Sequence, residues 1–151
     1  MKTYNILNRN AIDEIEKIVG KKNIITESEG FFNYNHDEFA LDEIKHNPEI
    51  VVKPSTTEEV SDVMKIASRE KFPVVARGGA TGLVGGCVPS FGGIVISTER
   101  MNRIIEIDEA NLMVTLQSGS TLRDFYSSIK RKTLFFPPHP GEESATIGGL
   151  V

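Results

Sequence analysis

The stretch Arg77-Gly-Gly-Ala-Thr-Gly-Leu-Val-Gly-Gly86 carries five glycines in ten residues and directly follows the apolar run Pro73-Val-Val-Ala76. Glycine enters φ > 0 without steric cost and lets bare backbone N–H groups come close to a ligand. Concave amide nests of this kind bind anions, phosphates above all. Arg77 at the mouth and Thr81 at the centre add a charge and a hydroxyl. The stretch reads as a seat for a nucleotide or dinucleotide pyrophosphate held mainly by backbone. A flexible surface loop is the plain alternative, because glycine content alone is a weak signal.

Two familiar phosphate loops are excluded by the residues beyond Gly86. A Walker A loop needs a Lys after its last glycine and a helix beyond it, whereas Gly86 leads into Cys87-Val88-Pro89. A Rossmann fingerprint opens a helix. Here Gly79-x-x-Gly82-x-x-Gly85 runs on to Pro89, Gly92-Gly93 and a β-like Ile94-Val-Ile96, so no helix dipole can serve the anion.

Working outward, Ile50-Val51-Val52 reads as a short buried strand, and Thr56 to Glu59 is a capping box that starts a helix. Val60, Val63, Met64 and Ala67 have the spacing of one core-facing stripe. With Pro73–Ala76 as the next strand, this is a parallel βαβ unit, expected to be right-handed. Upstream, a helix is predicted over Ala11–Val19, capped by Asn10 and stopped by Gly20. Residues 23 to 48 are polar and irregular, with Phe31, Phe32, Tyr34 and Phe39 as possible anchors. Downstream, Ile104–Ile107 and Met113–Gln117 flank a hairpin turn at Asp108–Asn111. Thr121 opens a helix with Leu122, Phe125, Tyr126 and Ile129 on one face, and Leu134-Phe135-Phe136 is a further β-like run. A parallel unit followed by antiparallel strands and helices predicts the α+β or mixed α/β class.

The composition adds bounds. The chain has 151 residues, 39% hydrophobic and 25% charged, with a formal net charge of −4. It has no basic patch for nucleic acid. No apolar run reaches the length of a transmembrane segment, and a signal-peptide core is missing at the N-terminus, so a cytoplasmic location is expected. Cys87 is the single cysteine, which rules out an intrachain disulfide. His36, His46 and His139 are too far apart in sequence for a local metal motif. His139, inside the turn Pro137-Pro-His-Pro-Gly141, merits separate notice. The pairs Asp37-Glu38 and Glu142-Glu143 read as solvated charges, and no Ser/His/Asp nucleophile signature occurs.

Several motifs in order carry a resemblance. Pro54-x-x-x-Glu58-Glu59-Val60, the glycine stretch itself, Phe136-Pro-Pro-His-Pro-Gly141 and Ala145-Thr-Ile-Gly-Gly149 together resemble the start of an FAD-linked oxidase/dehydrogenase of the vanillyl-alcohol-oxidase (PCMH-type) fold. The nearest branch is that of the glycolate oxidase GlcD subunit and D-lactate dehydrogenase, whose N-terminal segment Tyr34-Asn-His-Asp-Glu38 also resembles. The resemblance implies an N-terminal helix and irregular segment over 1–48 and a PCMH-type FAD-binding domain over 49–151. It implies that Arg77, Gly78, Gly79, Ala80, Thr81, Gly82 and Leu83 surround the FAD pyrophosphate. Pro138 and Gly141 would lie along the flavin–ribityl side, with Ala145, Thr146, Gly148 and Gly149 near the isoalloxazine and phosphates. Ala80 and its neighbours offer no nucleophile for covalent flavin, so non-covalent FAD is implied. Leu150 departs from the Asn that usually follows Ile-Gly-Gly in this branch.

The chain ends two residues after what reads as a second ligand loop, which is expected of a piece of a longer protein. The expectation is therefore the flavin-binding portion of a 2-hydroxy-acid dehydrogenase or oxidase. It carries no catalytic residues of its own and no metal, binds FAD weakly or not at all alone, and is inactive by itself. In the full-length family an electron-transfer partner protein is compatible. A truncated, non-catalytic remnant that self-associates through exposed apolar faces is the alternative. A phosphate-binding domain of unrelated origin is a third.

Overall fold

The structure is a computed structural model that describes residues 4–39, 43–138 and 141–151. The expectations for His139 and Pro140 therefore lie outside the described residues. The first helix, α1 (Arg9–Val19), begins two residues earlier than its sequence suggests. Asn8, not Asn10, is the cap: its backbone is extended and its Oδ1 accepts the Ala11 N–H at 2.9 Å. Gly20 stops the helix at φ 84°, its N–H bonded to the Glu16 carbonyl. The segment that reads as irregular contains a two-residue strand, β1 (Ile24–Ile25), and a 3-10 turn over Ser28–Tyr34. Of its four aromatic anchors, Phe31 and Tyr34 are buried while Phe32 and Phe39 are exposed.

The strands β2 (Ile50–Val52), β3 (Val74–Arg77) and β4 (Ile94–Ser97) form the main sheet with β1, in the order β1-β2-β4-β3. Only the β1–β2 pair is antiparallel. The helix α2 (Thr57–Glu70) joins β2 to β3 and leaves a place between them that β4 fills, in parallel register with both. Ile94–Ile96 is thus the central parallel strand and does not belong with the later antiparallel pair. Its residues are buried on both faces, which is why β2 and β4 read as unbroken apolar runs. On one face Ile50, Val52, Ile94 and Ile96 meet Ala11, Ile15 and Val19 of α1 and Val63, Ile66 and Ala67 of α2. On the other, Val51 and Val95 meet Phe31 and Tyr34. In α2, Ile66 takes the core position assigned from spacing to Met64, which is exposed. Thr56 Oγ1 accepts the Glu59 N–H as the sequence predicts, but the Glu59 carboxylate returns to the Ser55 N–H at 2.7 Å, one residue short of a capping box.

A second, smaller unit follows. The hairpin of β5 (Ile104–Asp108) and β6 (Met113–Leu116) packs against α3 (Leu122–Ile129) through Leu122, Phe125 and Ile129. Thr121 caps α3. Leu134–Phe136 is not a strand: Pro137 and Pro138 can give no ladder donors, and Phe136 instead sets its ring edge-on to Phe125 at 5.2 Å. No helix among the described residues is long and apolar enough to cross a membrane.

The C-terminal ends of β2, β3 and β4 carry a polar cluster. Glu99 accepts hydrogen bonds from Tyr34 Oη and Ser97 Oγ, both at 2.9 Å, and pairs with Lys53 Nζ at 2.9 Å. Burial pushes the Glu99 carboxyl up, but the bonds from Lys53, Tyr34 and Ser97 outweigh it and hold it below its ordinary value. Burial lowers the Lys53 amine, yet Tyr34 and Glu99 leave it raised. A depressed carboxylate stabilises the fold above its unfolded pKa of about 4.3 and loses that contribution as pH falls through the folded value. The Lys53 contribution is lost only as pH rises past about 10.4. Glu99 is 44% exposed, so solvent screening keeps the effect small. Glu99→Gln is expected to cost about 1 kcal/mol at neutral pH, and chemical denaturation across pH should show that difference fading below about pH 4.

Candidate cofactor site

The glycine loop leaves the C-terminal end of β3, the end at which open parallel sheets bind ligands. Ala80 lies in the left-handed region at φ 58°, a strained conformation for a side-chain-bearing residue. Strain of that kind clusters at ligand clamps. Among the described residues no hydrogen bond engages the amides of Gly79 to Val84. Gly82 and Gly86 face open space, and Leu83 and Val84 are exposed. Donors left unpaired beside open space on a strained loop suit an anionic ligand.

The structure brings this loop against the second one. A Cβ on Gly78 would strike Thr146 Oγ1, and a Cβ on Gly79 would come within 2.7 Å of the Ser144 carbonyl oxygen. The segment from Glu143 to Gly148 is laid alongside Ser118–Arg123 by four backbone bonds: Leu122 N–H to Ala145 O, Arg123 N–H to Glu143 O, Ile147 N–H to Ser120 O and Gly148 N–H to Ser118 O. Gly148 is fixed by sterics too, since a Cβ there would stand 2.9 Å from the Ser118 carbonyl. The amides of Ala145, Gly148 and Gly149 are bonded to Glu142, Ser118 and Thr146. This second loop therefore contributes shape, while the first contributes donors.

Not every residue singled out from sequence is drawn in. The Arg77 side chain is buried, 7% exposed, and turned inward. Its Nη1 donates to the His36 carbonyl at 2.6 Å and lies 3.3 Å from Cys87 Sγ, and the guanidinium stands over the Tyr34 ring. Burial pushes the Cys87 thiol up, against the pull of Arg77 and with Asp37 adding to it. Thr81 is half-buried. Pro138 gives its carbonyl to the Tyr126 hydroxyl at 2.8 Å, and Gly141 turns the chain at φ 86°. No hydrogen bond joins either of them to the glycine loop among the described residues. A cavity of about 860 Å³ sits at the opposite end of the sheet, against Tyr4, Phe72, Val74 and Phe91.

One residue is misread from sequence. Asp37 is no solvated charge: it is 2% exposed, and its Oδ2 accepts the Gly85 N–H at 2.6 Å. Glu142 is exposed, as expected of a solvated charge, and accepts the Ser144 N–H at 2.8 Å. An Asp–Glu dipeptide in a polar stretch carries no local signal of burial.

The chain is similar to known proteins in sequence and in fold. The model of the FAD binding domain matches residues 48–151, and the chain belongs to that family, the PCMH-type flavin-binding domains. Within it, the chain is 38% identical to D-lactate dehydrogenase of Anaerostipes hadrus over 148 residues, covering 98% of this chain and 31% of that protein. It is 34% identical to the glycolate oxidase subunit GlcD of Bacillus subtilis (strain 168) over 147 residues, covering 97% of this chain and 31% of that one. Among solved structures, alkyldihydroxyacetonephosphate synthase superposes with a TM-score of 0.84 at 17% identity, over 97% of this chain and 32% of that one, a likeness of fold. The chain thus spans 31% of the length of the two curated relatives.

The packing of the two loops makes a graded prediction. Gly79→Ala should destabilise the protein by about 1–3 kcal/mol through overpacking against the Ser144 carbonyl. Gly82→Ala, with open space around it, should change stability by no more than about 0.5 kcal/mol. Thermal melts of the two variants check this; equal effects would contradict the interlocked arrangement.

Proposed function

We propose that this chain is the flavin-binding portion of a 2-hydroxy-acid dehydrogenase or oxidase of the glycolate/D-lactate type, holding FAD without a covalent link. The observation that carries the reading is the set of unengaged amides from Gly79 to Val84, at the C-terminal edge of a parallel sheet and interlocked with Ser144–Thr146. These amides fit a diphosphate, and the small residues Ala145, Thr146, Gly148 and Gly149 let a flat ring approach closely. Bound FAD would supply the redox chemistry, accepting two electrons from a CH–OH carbon. The chain's own residues bind and orient; no group among them is assigned the role of base toward a hydroxy acid.

The same reading holds that the 151 residues alone keep FAD too weakly to retain it and do not turn over substrate. Its partners are FAD and, in a complete enzyme, an electron acceptor. A cytoplasmic setting and a division near residue 48 belong to the proposal as well. A second reading, a module that self-associates without cofactor, is favoured by the exposed Leu112, Met113 and Phe135 around the β5–β6 hairpin.

The test is an FAD fluorescence titration of the purified chain followed by gel filtration and a D-lactate and glycolate dehydrogenase assay. Saturable quenching with a Kd between roughly 1 μM and 1 mM, flavin released on the column or by acid precipitation, and no turnover are expected. Flavin that stays with the protein stoichiometrically on the column would refute weak binding. No quenching at any concentration, with concentration-dependent oligomers, would favour the second reading.

A further inference from the structure

The glycine loop is tethered at three points by three consecutive residues of a segment distant in sequence. Arg77 Nη1 donates to the His36 carbonyl at 2.6 Å, at the loop's entrance. The Glu38 N–H donates to the Gly82 carbonyl at 3.2 Å, at its middle. The Gly85 N–H donates to Asp37 Oδ2 at 2.6 Å, near its exit. Asp37 Oδ1 meanwhile accepts the Phe39 N–H at 3.1 Å, which fixes the carboxylate's own orientation. The tethering segment is anchored in turn: Tyr34 is buried on the sheet under the guanidinium of Arg77, and its hydroxyl is bound to Glu99.

We propose that residues 34–39 form a clasp that holds the cofactor loop in its ligand-ready shape, with Asp37 as the positioning residue. Ordering a backbone costs on the order of 1–2 kcal/mol per residue, and a stretch with five glycines in ten has more freedom to lose than most. The tethers supply that ordering before any ligand arrives. Asp37 has a second effect. It is an internal anion seated on the Gly85 amide, so that end of the nest is closed to a phosphate. The seat for the ligand's anionic group is thereby confined to the amides of Gly79 to Val84. The arrangement looks paradoxical, because a buried carboxylate stands beside a site for a negatively charged ligand. The sign of its effect is what separates positioning from simple electrostatics: a mere nearby charge would weaken FAD binding, and its removal would strengthen it.

The inference rests on the flavin reading only for the ligand's identity, because the clasp is tested without ligand. In the ¹⁵N-labelled full chain, Asp37→Ala is expected to speed hydrogen exchange of the hydrogen-bonded Gly85 and Glu38 amides by about tenfold or more, the equivalent of ~1.4 kcal/mol, and to lower the ¹⁵N order parameters of Gly79–Val84. Exchange in β4 should be unchanged. Asp37→Asn, which keeps one acceptor oxygen and loses the charge, should lie between wild type and Asp37→Ala, and it carries the comparison if the alanine variant does not fold. FAD titrations of the same proteins should show affinity falling about tenfold in Asp37→Ala and partly recovered in Asp37→Asn. Unchanged order parameters in Gly79–Val84, or exchange in β4 rising as much as at Gly85 and Glu38, would overturn the clasp. Tighter FAD binding by Asp37→Ala, or unaltered binding with a loosened loop, would overturn the positioning role. Failure of the wild-type chain to bind FAD at all, with the exchange pattern as described, would leave the clasp standing and reject the ligand.

Discussion

The site depends on a close approach between two stretches of backbone. Gly78 and Gly79 lie against Thr146 and Ser144 at distances that leave no room for a side chain. Everything that brings them together is remote in sequence. The first loop is delivered by β3, at the edge of a sheet whose interior strands are fully buried. The second is delivered by backbone bonds to Ser118, Ser120, Leu122 and Arg123, around the start of α3. The hydrophobic clusters of the sheet and of the β5–β6–α3 unit therefore act together on the site: each core fixes one wall. A residue that interlocks by lacking a side chain cannot be replaced without moving a wall, whereas Gly82, a few residues on, has space around it.

The two walls differ chemically. The first carries amides without hydrogen-bond partners among the described residues, and its charged residue Arg77 is turned inward onto His36, Tyr34 and Cys87. Attraction for an anion would therefore come from backbone dipoles, which need no side-chain rearrangement to act. The second wall has its amides bonded internally and supplies contour. Such a division suits a ligand with a charged diphosphate joined to a flat ring, as FAD has.

Much of this is legible in local sequence, because it is written locally. The Thr56 and Thr121 caps, the Gly20 stop, Val63 and Ala67 in the stripe of α2, and the glycine loop each follow from a few adjacent residues. The motif order from Pro54 to Gly149 carries the family. What sequence could not supply is non-local. Nothing in Ile94-Val-Ile96 distinguishes a central parallel strand from a member of a later hairpin, since its place is set by the gap that α2 leaves between β2 and β3. Leu134–Phe136 has strand composition but no ladder partner. Asn8 and Asn10 are equivalent as cap residues until the backbone angles choose between them. Asp37 is illegible for the same reason: its importance lies in a bond to Gly85, 48 residues away.

Whether Gly79–Val84 and Ala145–Gly149 form one cofactor seat is tested most directly by amide chemical-shift mapping of the ¹⁵N-labelled chain at saturating FAD. Perturbations are expected in both stretches together, with the Tyr4–Phe91 end of the sheet silent. Perturbations confined to one stretch, or centred on the cavity around Phe72 and Phe91, would contradict a single shared seat.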